Sequence, residues 1–190
     1  MQVSVEETKI RDLVIVRHQV FHDDRGFFQE VHREDAFRDA GLDLTFVQSN
    51  HSGSSKDVVR GLHFQWDPPM GKMMRVTRGE AFLVAVDIRK GSPTLGHWHG
   101  ELLKEYDGKQ LYGPAGFARG FCVLSDYAEI QYMCTGTYNQ QCESGILWND
   151  PEIGIQWPVA DPVLSAKDKD AQTLSEWLGQ SDADQFTYVE

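Results

Sequence analysis

A histidine with cations nearby is the first feature of this sequence that could do chemistry. Arg60 and His63 lie three residues apart, and Lys72 follows after a proline loop. A neutral imidazole can take up a proton near pH 7, and a positioned lysine can donate to an oxygen that gains negative charge. On a strand, however, Arg60 and His63 would point to opposite faces unless Gly61 introduces a bulge or twist. On spacing alone, a surface histidine beside a surface arginine is the ordinary interpretation.

The elements that would position these residues are strands. Only 33–40 and 169–178 are predicted as helices, the second with its apolar residues on one face. Many short strands separated by Gly, Pro and Asn turns, without alternating helices, favour a sandwich or jelly roll over a parallel α/β sheet. Segments of strand length, apolar and β-branched, recur at 13–16, 27–31, 44–48, 58–63, 73–77, 81–88, 110–112, 117–124, 128–135 and 145–148.

Composition predicts one soluble domain over residues 1–190, with a polar, loosely held tail from about residue 180. The 190 residues are 41% hydrophobic and 25% charged, enough to bury a real core. The longest apolar run, 81–86, is far too short to cross a bilayer. The first seven residues lack the basic start and apolar stretch of a secretory signal, so we expect a cytoplasmic protein.

Charge and cysteine content exclude several classes of function. Eighteen basic against 29 acidic side chains give a net charge of −11, which disfavours nucleic acid and anionic membranes as partners. An anionic ligand must therefore meet a local basic pocket. The three cysteines, Cys122, Cys134 and Cys142, contain no Cys-x-x-Cys pair, so neither a disulfide framework nor a zinc knuckle is indicated.

Seven motifs give the chemistry a context. In chain order the segments are Asp-Asp-Arg-Gly-Phe-Phe-Gln-Glu at 23–30, Phe-Val-Gln-Ser-Asn-His-Ser at 46–52, Arg-Gly-Leu-His at 60–63, Gly-Lys at 71–72, Gly-Phe-Ala-Arg-Gly-Phe at 116–121, Trp-Asn-Asp-Pro at 148–151 and Leu-Ser-Ala-Lys-Asp at 164–168. Over roughly residues 10–170 the sequence resembles the dTDP-4-dehydrorhamnose 3,5-epimerase family. The resemblance implies an all-β, cupin-type double-stranded β-helix with a few short peripheral helices. It also implies a homodimer that acts on a nucleotide-linked 4-keto-6-deoxyhexose without a metal or organic cofactor.

The resemblance also implies roles for individual residues. His63 would be the base that removes a ring proton, Asp168 the carboxylate that orients it, and Lys72 the group that stabilises the enolate. Tyr132 would return a proton from the opposite face, and Tyr138 would stack on the nucleotide base. Further ligand contacts are expected from Arg25, Glu30, Gln48, Asn50, Arg60, Arg119, Glu143 and Lys167. These residue types suit the reaction, because a C–H beside a ketone becomes acidic only when the developing oxyanion meets a donor.

Two positions depart from the family pattern. Arg119 stands where the family usually has histidine, and Leu83 where it usually has aspartate. We expect Leu83 to remove an acidic partner of Lys72 or His63, and Arg119 to offer a fixed cation to a phosphate or sugar oxygen. Which hexose is bound, and whether C3, C5 or both are inverted, stays open.

Other functions remain as alternatives. A 3-only or 5-only epimerase could act on a related dTDP-, CDP- or GDP-sugar, and a binding protein could hold a sugar nucleotide without turnover. A metal-dependent cupin oxygenase would need ligands, and His97 and His99 share one strand face with Glu101 and Glu105 following. Neither glutamate has the usual cupin spacing, and no histidine lies in 116–124, so a solvated strand face is the simpler interpretation.

Overall fold

Two antiparallel sheets form the body of the protein. The computed structural model describes residues 2–189, so Met1 and Glu190, the ends of the predicted domain, lie outside the described residues. The strands are β1 Val3–Glu7, β2 Val14–His18, β3 Val20–Asp23, β4 Gly26–Gln29, β5 Gln48–Ser55, β6 Val59–Gln65, β7 Lys72–Arg78, β8 Glu80–Asp87, β9 Trp98–Lys104, β10 Lys109–Gly113, β11 Phe117–Val123, β12 Tyr127–Cys134 and β13 Glu143–Gly145. The helices are α1 Glu34–Asp39, α2 Ala166–Lys169 and α3 Leu174–Leu178, with 3₁₀ turns at Gln140–Cys142 and Ser181–Gln185.

The sheets run in jelly-roll order. A six-stranded sheet has the order β1-β2-β10-β7-β12-β5, and a five-stranded sheet has the order β13-β6-β11-β8-β9. Their facing sides enclose an apolar core that includes Leu83, Phe117, Ile130 and Leu111. This arrangement confirms the all-β prediction, and α1 lies within the predicted helix 33–40.

The outer faces carry smaller apolar clusters. On the larger sheet, Phe37 of α1 packs with Val16 and Met73, and Leu44 and Phe46 pack against the same cluster. The predicted strand 44–48 was therefore wrong for most of its length, since β5 begins only at Gln48. The apolar spacing of 44–47 reflects packing over the sheet and not pairing within it.

The C-terminal quarter also differs from the prediction. Of the expected helix 169–178, only Leu174–Leu178 form a helix of their own, α3, which Thr173 caps with a capping box to Glu176, while α2 ends at Lys169. The tail expected to be loosely held is packed: Ala183 and Phe186 are buried, and Phe186 lies 6.1 Å from the Phe64 ring. A run of polar letters concealed two buried apolar residues.

Among the described residues, no helix has the length and apolar character that a membrane span requires.

Candidate active site

A cavity between the two sheets collects most of the predicted chemistry. Its volume is about 130 Å³, and it is lined by Gln48, Asn50, His63, Phe64, Gln65, Met70, Lys72, Tyr132, Tyr138 and Glu143. A neighbouring cavity of about 330 Å³ shares His63 and adds Arg60, Ser165, Lys167 and Asp168. A larger cavity, of about 1050 Å³ beside β1 and α1, contains none of the predicted site residues.

His63 and Asp168 form a hydrogen-bonded pair. His63 Nε2 lies 2.6 Å from Asp168 Oδ1, although the residues are 105 positions apart in the chain. Burial alone would raise the pKa of Asp168, but hydrogen bonds from His63, Ser165 and the Gly61 backbone outweigh it and lower the pKa. The ionised carboxylate can only accept, so Nε2 carries the proton and Nδ1 keeps the lone pair of a base.

A bulge at Gly61 explains how Arg60 and His63 come to share one side of β6. His63 of β6 pairs with Arg119 of β11, and Arg60 pairs with Phe121, so two residues of β6 oppose one residue of β11. Such a bulge turns the strand and re-aims its side chains. Gly61 has φ +135°, and a Cβ there would come within 2.5 Å of the Gly120 backbone, so only glycine fits. Arg60 and His63 consequently line the same cavity.

Lys72 opens β7 on the opposite wall. Burial, followed by the positive charge of Arg119, lowers its pKa from 10.5 to about 8. Among the described residues Lys72 has no salt bridge and no side-chain hydrogen bond, and its Nζ lies 5.4 Å from the Tyr132 ring centre. The Lys72 ammonium therefore loses its proton at a lower pH than an ordinary lysine does.

Tyr132 projects from β12 beside Lys72. It pairs in register with Asn50 of β5, and burial raises the pKa of its phenol while a hydrogen bond with Asn50 partly opposes that rise. The phenol thus keeps its proton at neutral pH and stands ready as an acid. His63 comes from the smaller sheet and Tyr132 from the larger one, so the two flank the cavity from different layers.

The rim is polar and already organised. The Tyr138 hydroxyl donates to Glu143 at 3.1 Å, and Lys167 of α2 forms an ion pair with the same carboxylate. Gln48 donates to Asn50 at 3.1 Å and accepts from the Tyr138 backbone N–H at 2.8 Å. Tyr138 is 57% exposed, so its ring is free to receive a flat partner.

Arg25 and Glu30 are not brought to this cavity. Arg25 lies at the turn of the two-stranded β3–β4 sheet, where its side chain is 90% exposed and paired with Asp23. Glu30 follows that sheet and accepts from Arg33. Three phenylalanines of the same hairpin, Phe21, Phe27 and Phe28, are also exposed.

The two departures from the family pattern both lie in the interior. Leu83 is fully buried in the core between the sheets. Arg119 is 3% exposed, and its guanidinium donates to the carbonyls of Phe117, Met70 and Pro114 at 2.6–3.0 Å. The expected direct contact of Arg119 with a phosphate therefore does not match its place, because its terminal nitrogens already serve the backbone.

Two contributors were missed from the sequence. Ser165 caps α2 and donates to Asp168 Oδ2 at 2.9 Å, a role that its spacing Ser-x-x-Asp could have signalled. Gln65 lines the cavity and joins two loop segments, because it donates to the carbonyls of Pro68 and Thr137 and accepts from the Asn139 N–H. Nothing in the local sequence marks Gln65.

The metal alternative lacks a ligand cluster in residues 2–189, where no three His, Cys, Asp or Glu side chains are gathered as a metal would require. Glu101 instead accepts from Lys109 at 2.7 Å.

The fold is that of a cupin-type protein, and His63, Lys72 and Tyr132 line one cavity between its sheets. The model of the dTDP-4-dehydrorhamnose 3,5-epimerase family matches residues 7–176, and the chain belongs to that family. A 3,5-epimerase of Neisseria gonorrhoeae is 49% identical over 92% of this chain and 53% of its own, so the chain spans about half of that relative. A crystal structure of dTDP-6-deoxy-D-glucose-3,5-epimerase from Legionella pneumophila, in complex with dTDP-4-keto-L-rhamnose, superposes with a TM-score of 0.91. It is 39% identical, and the match covers 100% of both chains.

A relative with narrower specificity is also similar. A dTDP-4-dehydrorhamnose 3-epimerase of Streptomyces niveus is 42% identical over 81% of this chain and 75% of its own. Membership of the family therefore leaves the number of inverted centres undecided.

Proposed function

We propose that this protein is an isomerase that inverts C3, C5 or both in a dTDP-linked 4-keto-6-deoxyhexose. The observation that carries the proposal is a single cavity holding a histidine base, a lysine and a tyrosine acid. The reaction is a proton removal beside a ketone, followed by proton return to the opposite face of the ring.

His63 starts the reaction at Nδ1, the nitrogen left free by the bond to Asp168. The imidazolium that forms is stabilised by the Asp168 carboxylate. Lys72 meets the negative charge that arrives on the carbonyl oxygen, the usual requirement for an acidic C–H beside a ketone. Tyr132 supplies the proton to the other face, which inverts the carbon.

The nucleotide part lies along the rim and the second cavity. Arg60 and Lys167 provide the local basic patch that an acidic protein needs to hold a diphosphate. The exposed ring of Tyr138 stacks on the base. The volume of about 130 Å³ beside Lys72 then has to hold only the sugar.

The β3–β4 hairpin supports a homodimer as the working form. Its three exposed phenylalanines form an apolar surface that is unfavourable in water. Its exposed Arg25 does not reach the cavity of its own chain. A second copy receives the hairpin at the edge of its site, which brings Arg25 and Glu30 to the ligand. We further propose a cytoplasmic protein of one domain that works without metal or organic cofactor, and that has neither nucleic acid nor membrane as a partner.

Proton NMR of the 4-keto sugar in heavy water tests the reaction, with C3 and C5 followed separately. Wild type should exchange and invert at the centre or centres it acts on, and His63→Ala should lose both. Tyr132→Phe should still exchange, because His63 can return deuterium to the original face, but should invert poorly. Tyr127→Phe, an exposed tyrosine on the same strand, is the matched control.

The alternatives give different results in the same tubes. Exchange at C3 alone would identify a 3-epimerase. Absence of exchange with every dTDP-, CDP- and GDP-linked 4-keto sugar, together with tight binding, would identify a non-catalytic binder. Full inversion by His63→Ala would overturn the mechanism.

A further inference from the structure

Arg119 is a buried cation without a counterion. Its Nε–H is enclosed and has no acceptor, and its other donors reach only backbone carbonyls. Among the described residues it forms no salt bridge. Burial lowers its pKa to about 10, so it remains charged at neutral pH.

Arg119 lies beside His63 on the adjacent strand of the same sheet and does not line the cavity. It is the direct β11 partner of His63, and it holds the carbonyl of Met70, which lines the cavity. Its charge acts on Lys72 across this wall. Leu83, two residues along β8 from Ala85, the β8 partner of Arg119, is a buried core residue and brings an apolar side chain instead of a carboxylate.

The other groups around Lys72 do not cancel this charge. From β12 come Cys134 and Tyr132, from β10 Tyr112, from β6 His63, from β13 Glu143 and from α2 Lys167. Glu143 is the one acid in this set, and it is already paired with Lys167. Cys134 and both tyrosines are neutral at pH 7, since burial raises the pKa of each.

We propose that Arg119 is a positioning residue that acts through Lys72: its uncompensated charge makes Lys72 a proton donor to the substrate oxygen and not merely a fixed cation. The inference rests on the proposed function. His63 removes the carbon-bound proton, the C–H electron pair becomes the C=C bond, and the carbonyl π pair moves to oxygen. That oxygen takes an N–H proton from Lys72, which becomes a neutral amine.

The second half reverses the exchange. Tyr132 gives its proton to the carbon, the carbonyl re-forms, and the proton on oxygen returns to Lys72. His63 then releases its extra proton to solvent, and the Tyr132 phenolate takes up one proton from solvent. An ammonium with a counterion would hold its protons more tightly and would stabilise the oxygen only by charge.

Competitive acetylation of Lys72 by acetic anhydride against pH tests the coupling without turnover, with exposed Lys56 as internal reference and mass spectrometry as readout. In wild type the half-maximal reactivity of Lys72 should fall near pH 8. Arg119→Met and the polar variant Arg119→Gln should each raise this midpoint by about one pH unit. Arg75→Met is the matched control, because Arg75 is a partly buried arginine on β7, the strand of Lys72, and its guanidinium binds Gln131. It should leave the midpoint unchanged.

The same variants are then followed by turnover. The alkaline limb of kcat should move upward with the acetylation midpoint, while KM for the sugar nucleotide stays within about twofold, since Arg119 does not touch the ligand. A wild-type midpoint above pH 9.5, or a midpoint unmoved by Arg119→Gln, would overturn the inference even if Arg119→Met fails to fold. Absence of turnover in wild type would instead refute the proposed function, and the acetylation midpoints would still decide the coupling.

Discussion

Two buried arginines, Arg89 and Arg119, differ in their partners: carboxylates neutralise the charge of Arg89, whereas in the described part of the chain none binds Arg119. Arg89 donates to Asp87 at 2.8 and 2.9 Å and to Asp12 at 2.7 Å, and Asp87 also accepts from Ser92 and Thr94. Arg119 meets only carbonyl oxygens. The difference teaches that compensated charge serves the architecture, whereas charge left uncompensated beside a cavity adjusts the proton affinity of its neighbours.

Breaking the compensated network should have the largest effect. Asp87→Ala removes the buried carboxylate that binds Arg89, Ser92 and Thr94 and leaves Arg89 only the half-exposed Asp12, so it should cost about 3–5 kcal/mol of unfolding free energy. Urea denaturation measures the loss. Asp184→Ala, which removes an exposed partner of Lys90, should cost less than about 1 kcal/mol. Equal losses in the two variants would remove the distinction.

The contribution of a solvent-exposed cation can be measured at Arg60, which lines the second cavity. It is held by Ser54 Oγ at 3.0 Å and by the Gly53 carbonyl at 3.2 Å, so its guanidinium is positioned before a ligand arrives. Arg60→Ala should weaken binding of the nucleoside diphosphate by about 1.5–3 kcal/mol, the usual range for a charge-assisted contact. Calorimetry with Arg78→Ala as the control decides it. An unchanged Kd would take Arg60 out of the site.

Lys72 should be a site where function costs stability. Its folded pKa of about 8 lies below the ordinary 10.5, so the unfolded chain binds more protons between those values. The cost of burying the ammonium is thus full below pH 8 and fades as pH rises toward 10.5. Lys72→Met should stabilise the fold by about 1–3 kcal/mol at pH 7, by less at pH 10, and should abolish turnover. A gain that does not depend on pH would show that packing and not charge is responsible; Lys56→Met is the control.

Chelation should have the smallest effect. Because Lys72 provides the positive charge that a metal would otherwise supply, exhaustive EDTA treatment should change turnover by less than about twofold. Loss of turnover that a single divalent metal restores would favour a metal-dependent mechanism.

The sequence predicted what depends on local pattern. Strand alternation located most of the sheets, and the motifs contained Gln48, Asn50, His63 and Lys72, which line the cavity, and the His63–Asp168 pair. The motif residues Arg25 and Glu30 lie elsewhere. Physical reasoning also identified Gly61 as the position where a bulge was needed. The facing of Arg60 and His63 followed from that bulge.

What the sequence could not supply was burial. The sequence suggests an ordinary strand arginine at Arg119, but its guanidinium is held in the interior by backbone carbonyls, one of which, that of Met70, is 49 residues away in the chain. Gln65 was missed for the same reason, since its partners lie on separate loops. Thr173 and Glu176 form a capping box, which could have predicted the start of α3. The apolar spacing over 169–178 was given more weight, and it predicted one longer helix.

The 105-residue separation of His63 and Asp168 has a consequence for synthesis. A chain emerging from the ribosome can pair β6, β8 and β11 long before residue 168 appears, but His63 then lacks the carboxylate that binds its imidazole in the folded protein. Trp177 and Phe186, which pack against Phe64 beside His63, arrive later still. The two sheets can thus form early, but the site is complete only after the segment 165–186 has been synthesised and has packed against them.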